Sequence, residues 1–143
     1  MAPAAATDLG SQLRLAVLRL SRRLRQEAAG EVTPSQLSAL TVLSARGELT
    51  LGELAAIERI APPSMTRIAA RLESRGLLER RSDASDRRIA RVAVSKTGQA
   101  LLDETRSRRD AYLSTRLAEF TEEERRVLDQ AIPLLQRLVT QDS

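Results

Sequence analysis

Closely spaced helix-start signals constrain this chain more than any other feature of its sequence. Thr33-Pro34-Ser35-Gln36 is a capping box with proline at the first helical position, and it predicts the start of a helix. Thr50-Leu51-Gly52-Glu53 repeats this pattern for a second, short helix. Pro62 and Pro63 permit only a helix start, so a third helix is predicted from there. The three helices are predicted to end near Gly47, Arg59 and Gly76.

The pattern changes after the third helix. Residues 77–81 and 89–94 are predicted as strands, the second because its apolar and polar residues alternate. The polar residues 82–88 between them are predicted as a hairpin tip. Short helices followed by a hairpin are typical of a winged helix-turn-helix. We therefore predict a mainly α fold with a small β-hairpin wing, and we place the winged helix-turn-helix in residues 34–95.

Apolar helices are predicted on both sides of this region. Leucines recur at helical spacing within residues 8–28, and residues 96–141 predict two further helices, the second beginning at a capping box of Thr121 and Glu124. These helices present more apolar surface than a three-helix unit can cover, which favours pairing with a second copy. We predict that 8–28 and 96–141 are dimerisation helices of one domain spanning residues 1–143. Closure of the same helices as a monomeric bundle is the alternative.

The composition excludes many functions. Cys and His are both absent, so disulfides, thiolate metal sites and the Ser-His-Asp triad are unavailable. We predict no enzyme activity, no metal and no cofactor. One Tyr and one Phe leave little for stacking of unpaired bases. No stretch approaches the ~18 apolar residues of a membrane span, and the first ten residues lack the pattern of a secretory signal, so we expect a cytoplasmic protein that does not contact a membrane.

Positive charge is concentrated in one part of the chain. The formal net charge is +4, but residues 59–91 hold nine Arg and four acidic residues, a local excess of +5. A second basic run, from Arg14 to Arg25, contains five Arg and no acid, and we interpret it as a solvated helix face rather than a contact surface. The first cluster predicts a patch that attracts a polyanion.

The third predicted helix is two-sided. Helical spacing places Met65, Ile68, Ala69 and Leu72 on one side. The opposite side carries hydroxyl and guanidinium groups and small residues, namely Pro63, Thr66, Arg67, Ala70, Arg71 and Ser74. Such a face fits the major groove of DNA, where Arg pairs with guanine or phosphate. An ordinary solvated face is the alternative.

The predicted hairpin tip adds a second basic element. Asp86 lies two positions before Arg88, so its carboxylate can hold that guanidinium outward. An Arg on a thin β-ribbon has the shape and charge for a narrow minor groove, and a surface ion pair is the alternative. Together with the local charge of +5, the tip favours contact with duplex DNA.

Four segments of the sequence carry a family resemblance. They are Pro63-Ser64-Met65-Thr66-Arg67, Leu72-Glu73-Ser74-Arg75-Gly76-Leu77-Leu78-Glu79-Arg80, Asp86-Arg87-Arg88 and Val94-Ser95-Lys96-Thr97-Gly98. The chain resembles the multiple antibiotic resistance regulator (MarR) family over nearly its whole length. Val94-Ser95 departs mildly from the family's leucine-threonine, because it keeps an apolar residue and a capping hydroxyl.

The resemblance implies a homodimer that binds an inverted repeat in promoter DNA, with a recognition helix at 62–75. Ser64, Thr66 and Arg67 would meet bases and phosphates, and Asp86 would orient Arg88 in the minor groove. Arg71 and Arg87 are added from the local charge alone. The predicted DNA-binding residues are Pro63, Ser64, Thr66, Arg67, Arg71, Asp86, Arg87 and Arg88.

The resemblance further implies a transcriptional regulator, which we predict to be a repressor that excludes polymerase from a promoter. Family members often release DNA when a small acid binds between the two domains or when a cysteine is oxidised. The absence of Cys excludes the second route and leaves a possible small-molecule effector, for which no ligand residues are predicted. The alternative function is a winged-helix module whose basic face binds an acidic protein.

Overall fold

A computed structural model describes residues 3–28, 30 and 32–140, and in these residues the chain forms six helices and three strands. In chain order they are α1 (Pro3–Ala28), α2 (Pro34–Arg46), β1 (Leu49–Thr50), α3 (Leu51–Glu58), α4 (Pro62–Ser74), β2 (Leu78–Ser82), β3 (Ala90–Val94), α5 (Lys96–Ala118) and α6 (Glu122–Thr140). The predicted mainly α fold with a hairpin wing is confirmed. The predicted single domain spans residues 1–143, and the second predicted dimerisation segment ends at residue 141. Residue 141 and the two chain ends lie outside the described residues.

The predicted caps form in full at Thr33 and Thr121, whereas Thr50 accepts a bond from the Glu53 amide at 3.1 Å without the reciprocal bond to the Glu53 side chain. The Thr33 hydroxyl accepts a hydrogen bond from the Gln36 amide at 3.2 Å, and the Gln36 side chain accepts one from the Thr33 amide at 3.1 Å. Thr121 and Glu124 form the same reciprocal pair at the start of α6. Each pair satisfies two amide groups that the helix itself leaves unbonded. The starts of α2 and α6 are therefore set by local sequence.

Besides shifts of one residue in the bounds of β2 and β3, two details differ from the sequence-based expectation. Helix α1 begins at Pro3 rather than near residue 8, because the alanines that follow Pro3 are strong helix formers. The sequence does not predict strand β1, since two residues show no periodicity. It pairs with β3, with Leu49 opposite Val92, and the antiparallel sheet has the order β1-β3-β2.

The core lies between α2, α3, α4 and the sheet. Its large, fully buried side chains are Leu40, Leu43, Leu54, Met65, Leu72 and Val92. Burying each contributes roughly 1.5–3 kcal/mol, so the core fixes α4 firmly against its neighbours. Gly76 then turns the chain from α4 into the hairpin with a left-handed φ of 71°, which glycine adopts without a steric penalty.

Helices α1 and α6 lie outside this core, whereas α5 contributes Leu102 to it. Helix α1 packs along α5. None of the described residues of α6 is buried, and its apolar side chains, like many of those on α1, are exposed. No helix in the part of the chain that the structure describes is long and apolar enough to span a bilayer.

Candidate nucleic-acid interface

Helix α4 has the two faces that its sequence predicts. Met65, Ala69 and Leu72 are fully buried against the core. Pro63, Thr66, Arg67, Ala70, Arg71 and Ser74 are exposed, and Ser64 is half-buried at the edge of this face. Packing of the apolar side thus leaves a polar and basic surface directed away from the core.

The hydrogen bonds on this face are weak or local. The Thr66 hydroxyl donates to the Pro62 carbonyl at 3.0 Å, which leaves its oxygen able to accept a bond. Arg67 makes one long contact, from Nη2 to the Ser64 hydroxyl at 3.4 Å. Arg71 forms no ion pair with any described residue. The guanidinium groups of Arg67 and Arg71 therefore keep most of their donors for another molecule.

At the tip of the hairpin, Asp86 and Arg88 form the pair that their spacing predicts. Arg88 Nε lies 3.1 Å from Asp86 Oδ1, Nη2 lies 3.1 Å from Oδ2, and the Arg88 amide donates to Oδ1 at 3.0 Å. The Arg88 side chain is nonetheless 90% exposed. These bonds, led by those from the Arg88 side chain, lower the pKa of Asp86 and keep its carboxylate ionised. The tip therefore presents an oriented guanidinium.

A second carboxylate shapes the same tip. Asp83 accepts bonds from the Ser85 amide and the Ser85 hydroxyl, each at 3.0 Å, and lies 3.4 Å from Arg91 Nη2. The bonds from Ser85, and then the charge of Arg91, lower the pKa of Asp83. Arg87 is exposed and forms no ion pair with any described residue. Asp83 thus stabilises the turn at the tip, while the charge of Arg87 has no acidic partner among the described residues.

The structure separates the arginines of the basic cluster into those with an acidic partner and those without one, which the sequence alone does not show. Arg80 Nε lies 2.5 Å from Glu73 Oε2, and Arg81 lies 3.2 Å from both Glu48 and Glu79. Acids of the chain itself therefore compensate part of the cluster. Within the described residues, the arginines of the cluster that have no acidic partner include Arg59, Arg67, Arg71 and Arg87.

Arg59 has an unusual backbone conformation. It ends α3 with φ 55° and ψ 43°, the left-handed conformation, while its amide bonds the last carbonyls of that helix. A non-glycine residue there costs roughly 1–2 kcal/mol. The sequence predicts the helix end at this position but carries no signal for the strained backbone.

A pocket lies apart from this surface, between α1, α2 and α5. It measures about 340 Å³ and is lined by Arg25, Ala28, Val32, Pro34, Leu37, Ser38, Thr41 and Arg109. Arg109 Nε is buried and has no hydrogen-bond partner among the described residues. Because the two arginines are 84 positions apart, no sequence spacing could have predicted this pocket.

Comparison with known proteins identifies the family. The family model described as "MarR family" matches residues 32–90, which run from the start of α2 into the wing. An HTH-type transcriptional regulator of Mycobacterium tuberculosis is 44% identical over 132 residues, covering 92% of each chain. The chain belongs to the MarR family. A solved structure, a MarR family protein from Bacillus stearothermophilus, superposes with a TM-score of 0.81 at 27% identity and covers 99% of each chain.

Membership of the MarR family establishes the general function of the chain. The chain is a DNA-binding transcriptional regulator with a winged-helix fold, and it is not an enzyme. A further relative, the HTH-type transcriptional repressor MdtR of Bacillus subtilis, is 30% identical over 124 residues, covering 83% of this chain and 80% of MdtR.

Proposed function

We propose that the chain is a homodimeric repressor that binds an inverted repeat in promoter DNA. The observation that carries this proposal is the face of α4 opposite the core, where Arg67 and Arg71 are exposed and have no acidic partner among the described residues. In the proposed complex α4 enters the major groove, as recognition helices of this type do. Residues 34–95 form the DNA-binding part.

Each predicted contact residue has a proposed task. Ser64, Thr66 and Arg67 meet bases and phosphates at the start of α4, and Pro63, which has no long side chain, lets the backbone come close. Arg71 contacts a phosphate further along the same face.

The proposed role of the wing is to place its tip in the minor groove. Arg88 enters the groove, held in direction by Asp86, and Arg87 pairs with a neighbouring phosphate. Arginine suits a narrow minor groove because the negative potential is strongest there.

The exposed apolar side chains of α1 and α6 support the dimer. Leu138 and Val139 of α6 are 65% and 78% exposed, and Leu9 of α1 is 67% exposed. Covering such side chains contributes about 25 cal/mol per Å². A monomeric bundle is not supported, since it would bury part of α6 within the chain. Segments 8–28 and 96–141 are the proposed dimerisation helices, and a two-fold axis between them places the two α4 helices about 34 Å apart, one turn of DNA.

Repression and its release are the finer parts of the proposal. The name of the MdtR relative, a transcriptional repressor, supports repression, and a dimer bound across promoter elements excludes polymerase. The pocket between α1, α2 and α5 supports a small effector, because Arg25 and Arg109 suit an anion while Val32 and Leu37 suit an apolar body. We place the complex in the cytoplasm, where it has access to the promoter.

Selection of bound sequences from random duplex DNA tests the proposal, together with sedimentation of the purified protein. We expect a palindrome with half-sites one helical turn apart and a dimer at micromolar concentration. Replacement of Arg88 by Ala should weaken binding to the selected site about ten-fold or more. A stable monomer, or indifference to every duplex at low ionic strength, would refute the proposal. Binding to an acidic protein without binding to DNA would support the interaction-module alternative.

A further inference from the structure

The hairpin and α5 meet without a linker at Ser95. The Ser95 amide donates to the Leu77 carbonyl at 3.1 Å, and its hydroxyl donates to the Gly76 carbonyl at 2.6 Å. The same hydroxyl oxygen accepts a bond from the Gly98 amide at 3.0 Å. One buried residue thus joins the turn after α4 to the first turn of α5.

Gly98 brings these two segments into direct backbone contact. A Cβ at this position would lie 2.1 Å from the Leu77 carbonyl oxygen and 2.9 Å from Val94 Cγ2. Ordinary contact begins at 3.4 Å, so any side chain here would force α5 and the turn apart by more than 1 Å. Gly52, which also lies in the first turn of a helix, has only the Thr50 hydroxyl nearby, at 3.9 Å.

The base of the wing belongs to the same joint, which is formed by Ser95, Gly98 and the turn residues Gly76 and Leu77. Leu78, the first residue of β2, pairs with Val94, the last residue of β3. Leu77 and Leu78 are both buried beside them. The end of α4, the base of the wing and the start of α5 are therefore tied at one place by three hydrogen bonds and a close backbone contact. Such a junction transmits displacements, because packed interiors deform little.

From this geometry we propose that Ser95 and Gly98 are positioning residues for DNA binding. They fix the orientation of α4 and the wing on the dimerisation helix α5, and in the dimer they thereby set the distance between the two recognition helices. The inference rests on the proposed homodimer on an inverted repeat. Both copies of the joint act on one distance, so a displacement of about 1 Å in each misplaces both helices relative to one turn of DNA.

Operators with altered spacing test this role. The wild-type protein, Gly98→Ala and Ser95→Ala are titrated against the selected inverted repeat, against repeats with the half-sites moved by one or two base pairs, and against duplexes with a single half-site. We expect both variants to lose at least ten-fold in affinity for the full site and to stay within two-fold of wild type on the single half-site. Their preferred spacing should broaden or shift. Ser95→Thr, which keeps the hydroxyl, and Gly52→Ala, which adds a methyl group at ordinary contact distance from its neighbours, should match the wild-type protein.

Several outcomes overturn the inference. It is wrong if the variants lose equally on single and paired half-sites, because the damage is then local to each subunit, or if their affinity and spacing preference stay as in the wild type. If circular dichroism shows that Gly98→Ala is unfolded, the comparison of Ser95→Ala with Ser95→Thr alone tests the inference. A wild-type protein that prefers no inverted repeat refutes the proposed function itself. If the wild type prefers an inverted repeat and the variants bind in the same way, only the proposed role of the joint is refuted.

Discussion

Replacing Arg71 by Ala tests whether the exposed face of α4 contacts the DNA backbone. Each phosphate that a cation neutralises contributes about 0.9 to the slope of log K against log salt concentration. A dimer carries Arg71 twice, so the variant should lose about 1.8 from that slope. With Arg67, Arg71, Arg87 and Arg88 all engaged in both subunits, the upper limit for the wild-type slope is about −7.

The assay is a fluorescence anisotropy titration of a labelled operator at several salt concentrations. Arg71→Ala should weaken binding to the operator and to an unrelated duplex by similar factors, because phosphates carry no sequence information. Arg67→Ala should instead lose discrimination between the two duplexes, by about 1–3 kcal/mol for each base contact.

Arg81→Ala supplies the matched control. Arg81 is an exposed arginine of the same basic cluster, but it is held between Glu48 and Glu79. Its removal should change the slope by less than about half a unit. The reasoning is refuted if Arg71→Ala keeps the wild-type slope, or if Arg81→Ala loses as much slope as Arg71→Ala.

Three further predictions concern local features. Arg59→Gly should raise the free energy of unfolding by about 0.5–1 kcal/mol, since glycine relieves the left-handed backbone but adds entropy to the unfolded chain. Urea denaturation at fixed protein concentration measures this free energy, and a lower value than in the wild type would contradict the prediction. Thr33→Ala should lower the same quantity by about 1 kcal/mol through loss of the cap shared with Gln36, while Thr33→Ser should retain it. Because the folded wing lowers the pKa of Asp86, the stabilisation from its pair with Arg88 is fully present above the ordinary carboxyl pKa and is lost as pH falls through the lowered value. Amide NMR signals of the tip should therefore stay constant from pH 7 to 5 and move only below about pH 4, and movement between pH 7 and 5 would contradict the pairing.

Features set by neighbouring residues could be predicted from the sequence. The Thr33 and Thr121 caps form because each hydroxyl reaches an amide three positions away. The two faces of α4 follow from helical periodicity, and the Asp86–Arg88 pair follows from a spacing of two residues. In each of these cases the determining contact is local in sequence.

Features set by the tertiary fold could not be predicted in this way. Glu48 and Arg81 are 33 positions apart, so only the folded sheet shows that this guanidinium is compensated. Strand β1 exists because β3 offers an edge for pairing, and its two residues carry no pattern of their own. The left-handed backbone of Arg59 lies at a residue type that gives no warning of it.

The exposure of α6 has a consequence for the life of a newly made subunit. In the proposed dimer a second copy covers this helix, so a subunit that has not yet paired would expose the apolar side chains of α6 to chaperones and proteases. In the proposed assembly, the rate at which two subunits meet therefore decides how many survive. The cellular amount of the regulator then rises more steeply than its rate of synthesis.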